Sequence, residues 1–245
     1  MRTSSIWLGA ALVLAAGPLA CEPATPAVAP TPGAATTPTA TPTAVVAKGA
    51  DQPTFDLSPV AEPADVVGVL RWKNPGISFA NLTGCAGLPQ ELSDQGGKAL
   101  MTELFKGALR GLVDPKQMAS AIAVEAPMDV VVALDQSSRK PKPYWAFSMG
   151  LSSIDAAKAA ITPDATLVEV TPGTWRIGDK EKQRDSHCVI AASAGTTPAR
   201  LVCSDHEKDV LALAPYLTRT MPTTAPAASD LHGEFRIAPI EGRYG

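Results

Sequence analysis

Three polar side chains in the last third of the chain have the types and spacing that acid–base or metal chemistry needs. His187 opens an apolar run, and Asp205 and His206 directly follow a second one. If the two runs form a hairpin, all three residues lie at the same end of it. Imidazole and carboxylate groups bind zinc or transfer protons when they converge. One hypothesis is therefore a hydrolase or metal-dependent enzyme. The other is that these are exposed polar groups at strand and helix ends.

The remaining catalytic motifs fail on their context. Ser137 and Lys140 match the Ser-x-x-Lys spacing of penicillin-binding enzymes, but Pro141 follows in a predicted turn, whereas that motif needs its serine at a helix start. The sequence has no G-x-S-x-G, no phosphate-binding glycine loop and no H-E-x-x-H. We therefore assign no catalytic residue, no metal ligand and no cofactor from the sequence.

Two cysteines occupy the same pair of apolar runs. In the register that places Ala192 opposite Ala199, Cys188 faces Cys203. Directly opposed cysteines on neighbouring strands reach bonding distance, so we predict a disulfide between them. Two buried free thiols are the alternative. Cys85 is then left over near a predicted helix end, because the chain without Cys21 has an odd number of cysteines.

The first twenty residues have the features of a secretory signal peptide. Arg2 precedes an apolar run from Ile6 to Ala16. This run rises only about 16 Å as a helix, against the roughly 30 Å of a bilayer core. After this run the segment ends in Leu-Ala-Cys21, which resembles the end of a bacterial lipobox, although Pro18 stands where that pattern has an aliphatic residue. The resemblance implies that Cys21 carries the lipid anchor of a bacterial lipoprotein; the alternative is a signal peptide in which Cys21 is incidental.

A tether is predicted after the anchor. Residues 22–50 hold six prolines among alanine and threonine, with only two charged side chains. Such a segment buries too little apolar area to fold, so we expect disorder and a reach of about 90 Å. Either the tether spaces the domain from the membrane or its length is incidental. By resemblance to enteric lipoproteins, Glu22 favours the outer membrane, facing the periplasm or the cell surface.

The charge balance restricts the partners. The chain has 21 basic and 24 acidic side chains, and loss of Arg2 with the signal peptide changes the net charge from −3 to −4. A nucleic-acid partner would require a basic stripe, so we expect none. The expected partners are the membrane, through the Cys21 lipid, and an envelope protein.

Residues 51–245 have the length and pattern of a single α+β domain. Ser152 and Ser204 are each followed three residues later by an acidic residue, which predicts a helix start at each serine. Hairpins outnumber long crossovers, so we expect a mainly antiparallel sheet with helices packed on one face. Strand patterns occupy 65–72, 128–134, 144–151, 165–170, 174–178, 187–192, 199–204 and 231–237; helical patterns occupy 74–84, 98–113, 115–122, 152–161 and 208–220.

The last pattern, 231–237, predicts a half-buried strand, because apolar residues alternate with polar ones. The polar loop and strand start near residue 230 resemble the stretch before Val66. Residue 230 therefore either begins a second, incomplete copy of the same unit in a truncated chain, or the strand completes the sheet.

The strand-then-helix at 144–161 and the hairpin-then-helix at 188–217 resemble uncharacterised envelope lipoproteins of myxobacteria and their relatives. That resemblance covers most of residues 60–240 and implies no activity and no catalytic residues. The favoured hypothesis is a lipid-anchored envelope protein with a non-catalytic binding or structural role. The alternative is the enzyme built on His187, Asp205 and His206.

Overall fold

Eight strands and four helices follow each other in the order the patterns predict. The strands are β1 (Val66–Trp72), β2 (Met128–Asp135), β3 (Lys142–Leu151), β4 (Ala165–Thr171), β5 (Thr174–Asp179), β6 (His187–Ala192), β7 (Ala199–Ser204) and β8 (Leu231–Phe235). The helices are α1 (Pro75–Cys85), α2 (Pro115–Ala121), α3 (Ile154–Ala159) and α4 (Glu207–Pro215). Residues 98, 99, 101–103, 105 and 106 are helical as well.

The computed structural model describes residues 55–85, 98–137, 141–179 and 187–237, apart from 100, 104, 107, 108, 110, 196 and 225–228. The predicted signal peptide, the Cys21 lipidation site and the tether lie outside the described residues, and so does the side chain of Cys85. Among the described helices, none has the length and apolar character to cross a membrane.

All eight strands form one antiparallel sheet in the order β4-β5-β6-β7-β3-β2-β1-β8. The predicted hairpin register is confirmed, because Ala192 pairs with Ala199 and Cys188 with Cys203. Short turns explain the neighbouring pairs, since antiparallel strands need only a few connecting residues. The β3–β7 pairing in the middle of the sheet joins segments that lie far apart in the chain.

The predicted α+β class and antiparallel sheet are confirmed, but the helices cover both faces of the sheet. On one face, called the α2–α3 face, Ile190 and Leu201 pack with Met118 and Ala157. On the other, called the α4 face, a second cluster packs against α4; its buried members include Val131, Val189, Val202, Leu213 and Leu217. Because β6 and β7 are apolar without alternation, they are buried on both sides, as strands between two helical layers must be.

Helices α3 and α4 do not start at the predicted serines. The N-cap of α3 is Ser153 rather than Ser152, and its hydroxyl accepts a hydrogen bond from the Ala156 amide at 2.9 Å. The N-cap of α4 is His206, whose side chain makes no capping bond. Ser204 instead belongs to β7, because pairing with β6 continues to that residue. Strand pairing therefore overrides the local capping pattern here.

The helical pattern 208–220 is not one α-helix: α4 ends at Pro215, whose missing N–H removes a helical hydrogen bond. The chain continues as a π-helical turn, Tyr216–Thr220, and a short 3₁₀ turn, Met221–Thr223. Tyr216, Leu217 and Met221 are buried on the α4 face, so these turns continue the apolar surface of α4 toward the sheet.

The prediction of a half-buried β8 is wrong. Four of its five residues are exposed, and the apolar side chains face outward from the sheet rather than into the core. Leu231 is 47% exposed and Phe235 88% exposed. The alternation is real, but Leu231 and Phe235 belong to neither buried cluster.

Candidate functional site

The three residues of the predicted enzyme site do not converge. His187 pairs with Ser204, and alternation from Cys188, which is in the α2–α3 face cluster, puts His187 on the α4 face. The Asp205 carboxylate accepts a hydrogen bond at 3.1 Å from the indole N–H of Trp145. Trp145 stacks on Phe147, which packs on the α2–α3 face. His187 and Asp205 therefore lie toward opposite faces of the sheet.

His206 is exposed at the start of α4, where its side chain makes no capping bond. Within the ranges that the structure describes, no three His, Cys, Asp or Glu side chains lie close enough together to hold a metal ion. The arrangement thus gives His187, Asp205 and His206 separate positions at one end of the sheet, not a shared site.

The predicted disulfide between Cys188 and Cys203 is present, with an S–S distance of 2.03 Å and a Cα–Cα distance of 4.1 Å. Both cysteines are buried in the cluster of the α2–α3 face. The bond cross-links β6 to β7, the two central strands that are buried on both sides. Its role is therefore to stabilise the hairpin at the centre of the domain.

A buried charge cluster, not anticipated from the sequence, lies under the turns after α4. Asp129 is fully buried and receives two guanidinium groups, from Arg71 Nε at 2.6 Å and from Arg200 at 2.5 Å. Arg200 also donates to the Ser148 hydroxyl at 2.5 Å and to the Pro127 carbonyl at 2.9 Å. Arg71 donates in addition to the carbonyl oxygens of the segment that follows the π-helical turn, at residues 221 and 224.

The cluster places two positive charges and one negative charge in the interior. Burial lowers the pKa of Arg200, while the neighbouring Asp129 opposes that change. Arg200 Nε has no partner among the described residues. The signal that could have revealed this cluster is a single charged residue inside each of three apolar strand patterns, since an isolated buried charge requires a counterion.

A cleft lies where the chain enters the domain. It encloses about 270 Å³ between the β4–β5 turn and the helical turns from Leu211 to Arg219, with Phe55 to Leu57 across it. Phe55 contacts the ring of Trp175 edge-on at 5.8 Å between centroids. Its ring also lies over Gly173, where a Cβ would stand 2.7 Å from it and φ is +79°. The cleft is therefore filled in part by the chain's own Phe55.

An exposed apolar strip lies at the other end of the sheet. Leu70, Leu231 and Phe235 share one face of the β1–β8 pair and are 38%, 47% and 88% exposed. On the outer side of β8 no strand pairs with it among the described residues. We call these three side chains the apolar strip. An exposed apolar patch beside an open strand edge is a feature typical of protein interaction surfaces.

Comparison with known proteins adds no relative: no family model, no curated protein and no solved structure matches the chain. The candidate site is therefore argued from the geometry of the chain itself.

Proposed function

We propose that this chain is a lipid-anchored protein of the bacterial envelope, held at the outer membrane through Cys21, whose α+β domain acts by binding an envelope protein. The observation that carries the proposal is the apolar strip of Leu70, Leu231 and Phe235 at an open sheet edge. Covering such side chains gains about 25 cal/mol for each Å² removed from water. An extended partner segment gains main-chain hydrogen bonds at the same edge.

The sequence features before residue 51 support the membrane part of the proposal. A lipid on Cys21 would hold the chain at the membrane, and the Pro-rich segment 22–50 would let the domain reach a partner at up to about 90 Å. The buried charges support a binding rather than a catalytic role, because Arg71, Asp129 and Arg200 bond to one another beneath the turns after α4 instead of opening into a cleft.

The binding proposal is tested with a photo-crosslinking amino acid at position 235 of the full chain in cells. Val168 provides the matched control, because it is 45% exposed on β4, the strand at the opposite end of the sheet. We expect a defined protein adduct from position 235 and none from position 168. The adduct should persist in a His187→Ala/His206→Ala variant. Adducts of equal yield at both positions, or none at either, would refute the proposal.

The anchor is tested separately by feeding cells a labelled fatty acid. The wild-type chain should incorporate the label and fractionate with the outer membrane, and Cys21→Ser should lose both properties. A labelled Cys21→Ser chain, or an unlabelled wild-type chain, would contradict lipidation at this residue.

A further inference from the structure

The strand at the edge of the sheet repeats the sequence of its neighbour. The segment Asp-Val-Val-Gly-Val-Leu-Arg-Trp at 65–72 corresponds to Asp-Leu-His-Gly-Glu-Phe-Arg-Ile at 230–237. Asp, Gly and Arg recur at the same spacing. Apolar residues also recur at the second, sixth and eighth positions. The two segments therefore align position by position without a gap.

The two equivalent strands pair symmetrically. Val69 stands opposite Glu234, and these two residues occupy the same position in the two segments. One step to either side, Gly68 stands opposite Phe235 and Leu70 opposite Gly233. An antiparallel pair with this register is related to itself by a two-fold axis that passes between Val69 and Glu234.

The side chains follow the same symmetry. The Phe235 ring lies 3.6 Å from the place that a Cβ on Gly68 would occupy. In the reciprocal contact, Leu70 Cδ1 lies 3.5 Å from the place of a Cβ on Gly233. Each glycine thus leaves room for the large apolar residue of the other strand. The two contacts have nearly the same length, as a two-fold relation between the strands requires.

We propose that the β1 edge is a self-pairing interface whose partner is a second copy of this α+β domain, joined β1 to β1 about a two-fold axis at Val69. β8 is an internal copy of β1 that occupies this edge within one chain. In the pairing between copies, Gly68 of each copy receives Leu70 of the other, and the two sheets become continuous. This inference goes beyond the proposed binding function, because it uses the β1 edge beneath β8 rather than the outer edge of β8.

β8 is weakly held in its place. It pairs with β1 alone among the described strands, and four of its five residues are exposed. Strands that bury little apolar area open at low cost in free energy. The β1 edge is therefore available to a second copy when β8 leaves it.

A single substitution in the full chain releases β8. Arg236 donates its backbone N–H to the Val67 carbonyl at 2.9 Å, and Lys73 donates to the Asp230 carbonyl at 2.7 Å. Between these two bonds, alternation places the Glu234 N–H toward β1. Glu234→Pro removes this donor at the two-fold position. Glu234→Ala is the matched control, because it removes the carboxylate and keeps the donor.

We expect Glu234→Pro to double the mass of the particle in light scattering, while Glu234→Ala stays monomeric. Adding Gly68→Val should weaken the dimer at least about tenfold, because it closes both glycine sites. Opposed residues that bond across an antiparallel pair have Cα atoms about 5.5 Å apart, within disulfide range. Val69→Cys in the Glu234→Pro chain should therefore form a disulfide between copies, and Leu70→Cys, which lies off the axis, should not.

A folded Glu234→Pro chain that stays monomeric overturns the inference, as does a dimer that cross-links at Leu70→Cys rather than at Val69→Cys. If Glu234→Pro does not fold, a chain with residues 231–235 replaced by Val-Val-Gly-Val-Leu decides the matter. This chain should keep the thermal midpoint of the wild type, and a chain with a scrambled segment at 231–235 should not. If both chains lose the same number of degrees, the strands are not equivalent. The two proposals are tested at different edges: the photo-adduct at position 235 reports on the outer edge of β8, and the mass of the Glu234→Pro particle reports on self-pairing at β1.

Discussion

Asp129→Asn removes the negative charge that, among the described residues, joins Arg71 to Arg200, while keeping the shape of the side chain. In the wild type, the two carboxylate oxygens of Asp129 accept from Arg71 Nε at 2.6 Å and from Arg200 at 2.5 Å. The amide accepts through one oxygen only and carries no charge. Both guanidinium groups then stay buried, at 5% and 1% exposure, without a counterion.

The size of the effect follows from this burial. Removing one partner of a buried ion pair costs about 3–5 kcal/mol, because the remaining charge stays out of water. A loss of about 4 kcal/mol corresponds to a fall in thermal midpoint of roughly 8–16 °C for a domain of this size. The second arginine adds to the cost, and the carbonyl oxygens that receive Arg71 reduce it.

The assay is guanidinium unfolding followed by tryptophan fluorescence, with Asp164→Asn as the control. Asp164 is exposed, so its substitution should change the free energy of unfolding by less than about 0.5 kcal/mol. A change below about 1 kcal/mol for Asp129→Asn would refute the reasoning, since that is the value of an exposed ion pair. An apolar triple variant, Arg71→Met/Asp129→Leu/Arg200→Met, should lose much less than Asp129→Asn, because no charge remains buried.

Three further predictions concern the disulfide and two ionisable groups. Cys188→Ala/Cys203→Ala should lower the free energy of unfolding by about 3 kcal/mol, since the bond closes a loop of separation 15; a change within about 0.5 kcal/mol in chemical unfolding would contradict this. Burial, together with the hydrogen bond to Asp65, raises the pKa of Tyr144 above 10.0, so its contribution is present below pH 10 and is lost as the pH rises further. Tyr144→Phe should therefore cost about 1–2 kcal/mol at neutral pH, and urea titrations should show the deficit narrowing above pH 10. Burial raises the pKa of Asp209 above 3.8, so its ionisation costs stability as the pH rises past that value. Asp209→Asn should therefore raise the thermal midpoint at neutral pH and leave it unchanged in acid. A rise in acid and none at neutral pH would disprove this.

Local chemistry accounts for the parts of the fold that could be predicted. The register of the β6–β7 hairpin follows from two apolar runs joined by a short loop, and this register alone places Cys188 opposite Cys203. The split of the last helix follows from the missing N–H of Pro215. In each case the residues that decide the structure lie within about fifteen positions of one another.

The candidate sites depended on contacts between distant segments. His187 and Asp205 are near each other in the pattern, but strand alternation and the bond from Trp145 direct them to opposite faces. Ser204 begins a capping pattern but is nevertheless a strand residue, because β6 pairs with it. The apolar side of β8 is exposed although its alternation predicts burial, because alternation gives the side that apolar residues share and not what packs against it.

Alternation, turn residues and spacing along the chain are sufficient to predict the order of elements, the hairpins and the disulfide. Three features follow from the folded chain alone: helices cover both faces, Asp129 joins Arg71 to Arg200, and β8 pairs symmetrically with β1. The physical reason is the same in each case. Packing and buried charge depend on which distant segments become neighbours, and that choice is a property of the whole core rather than of any local pattern.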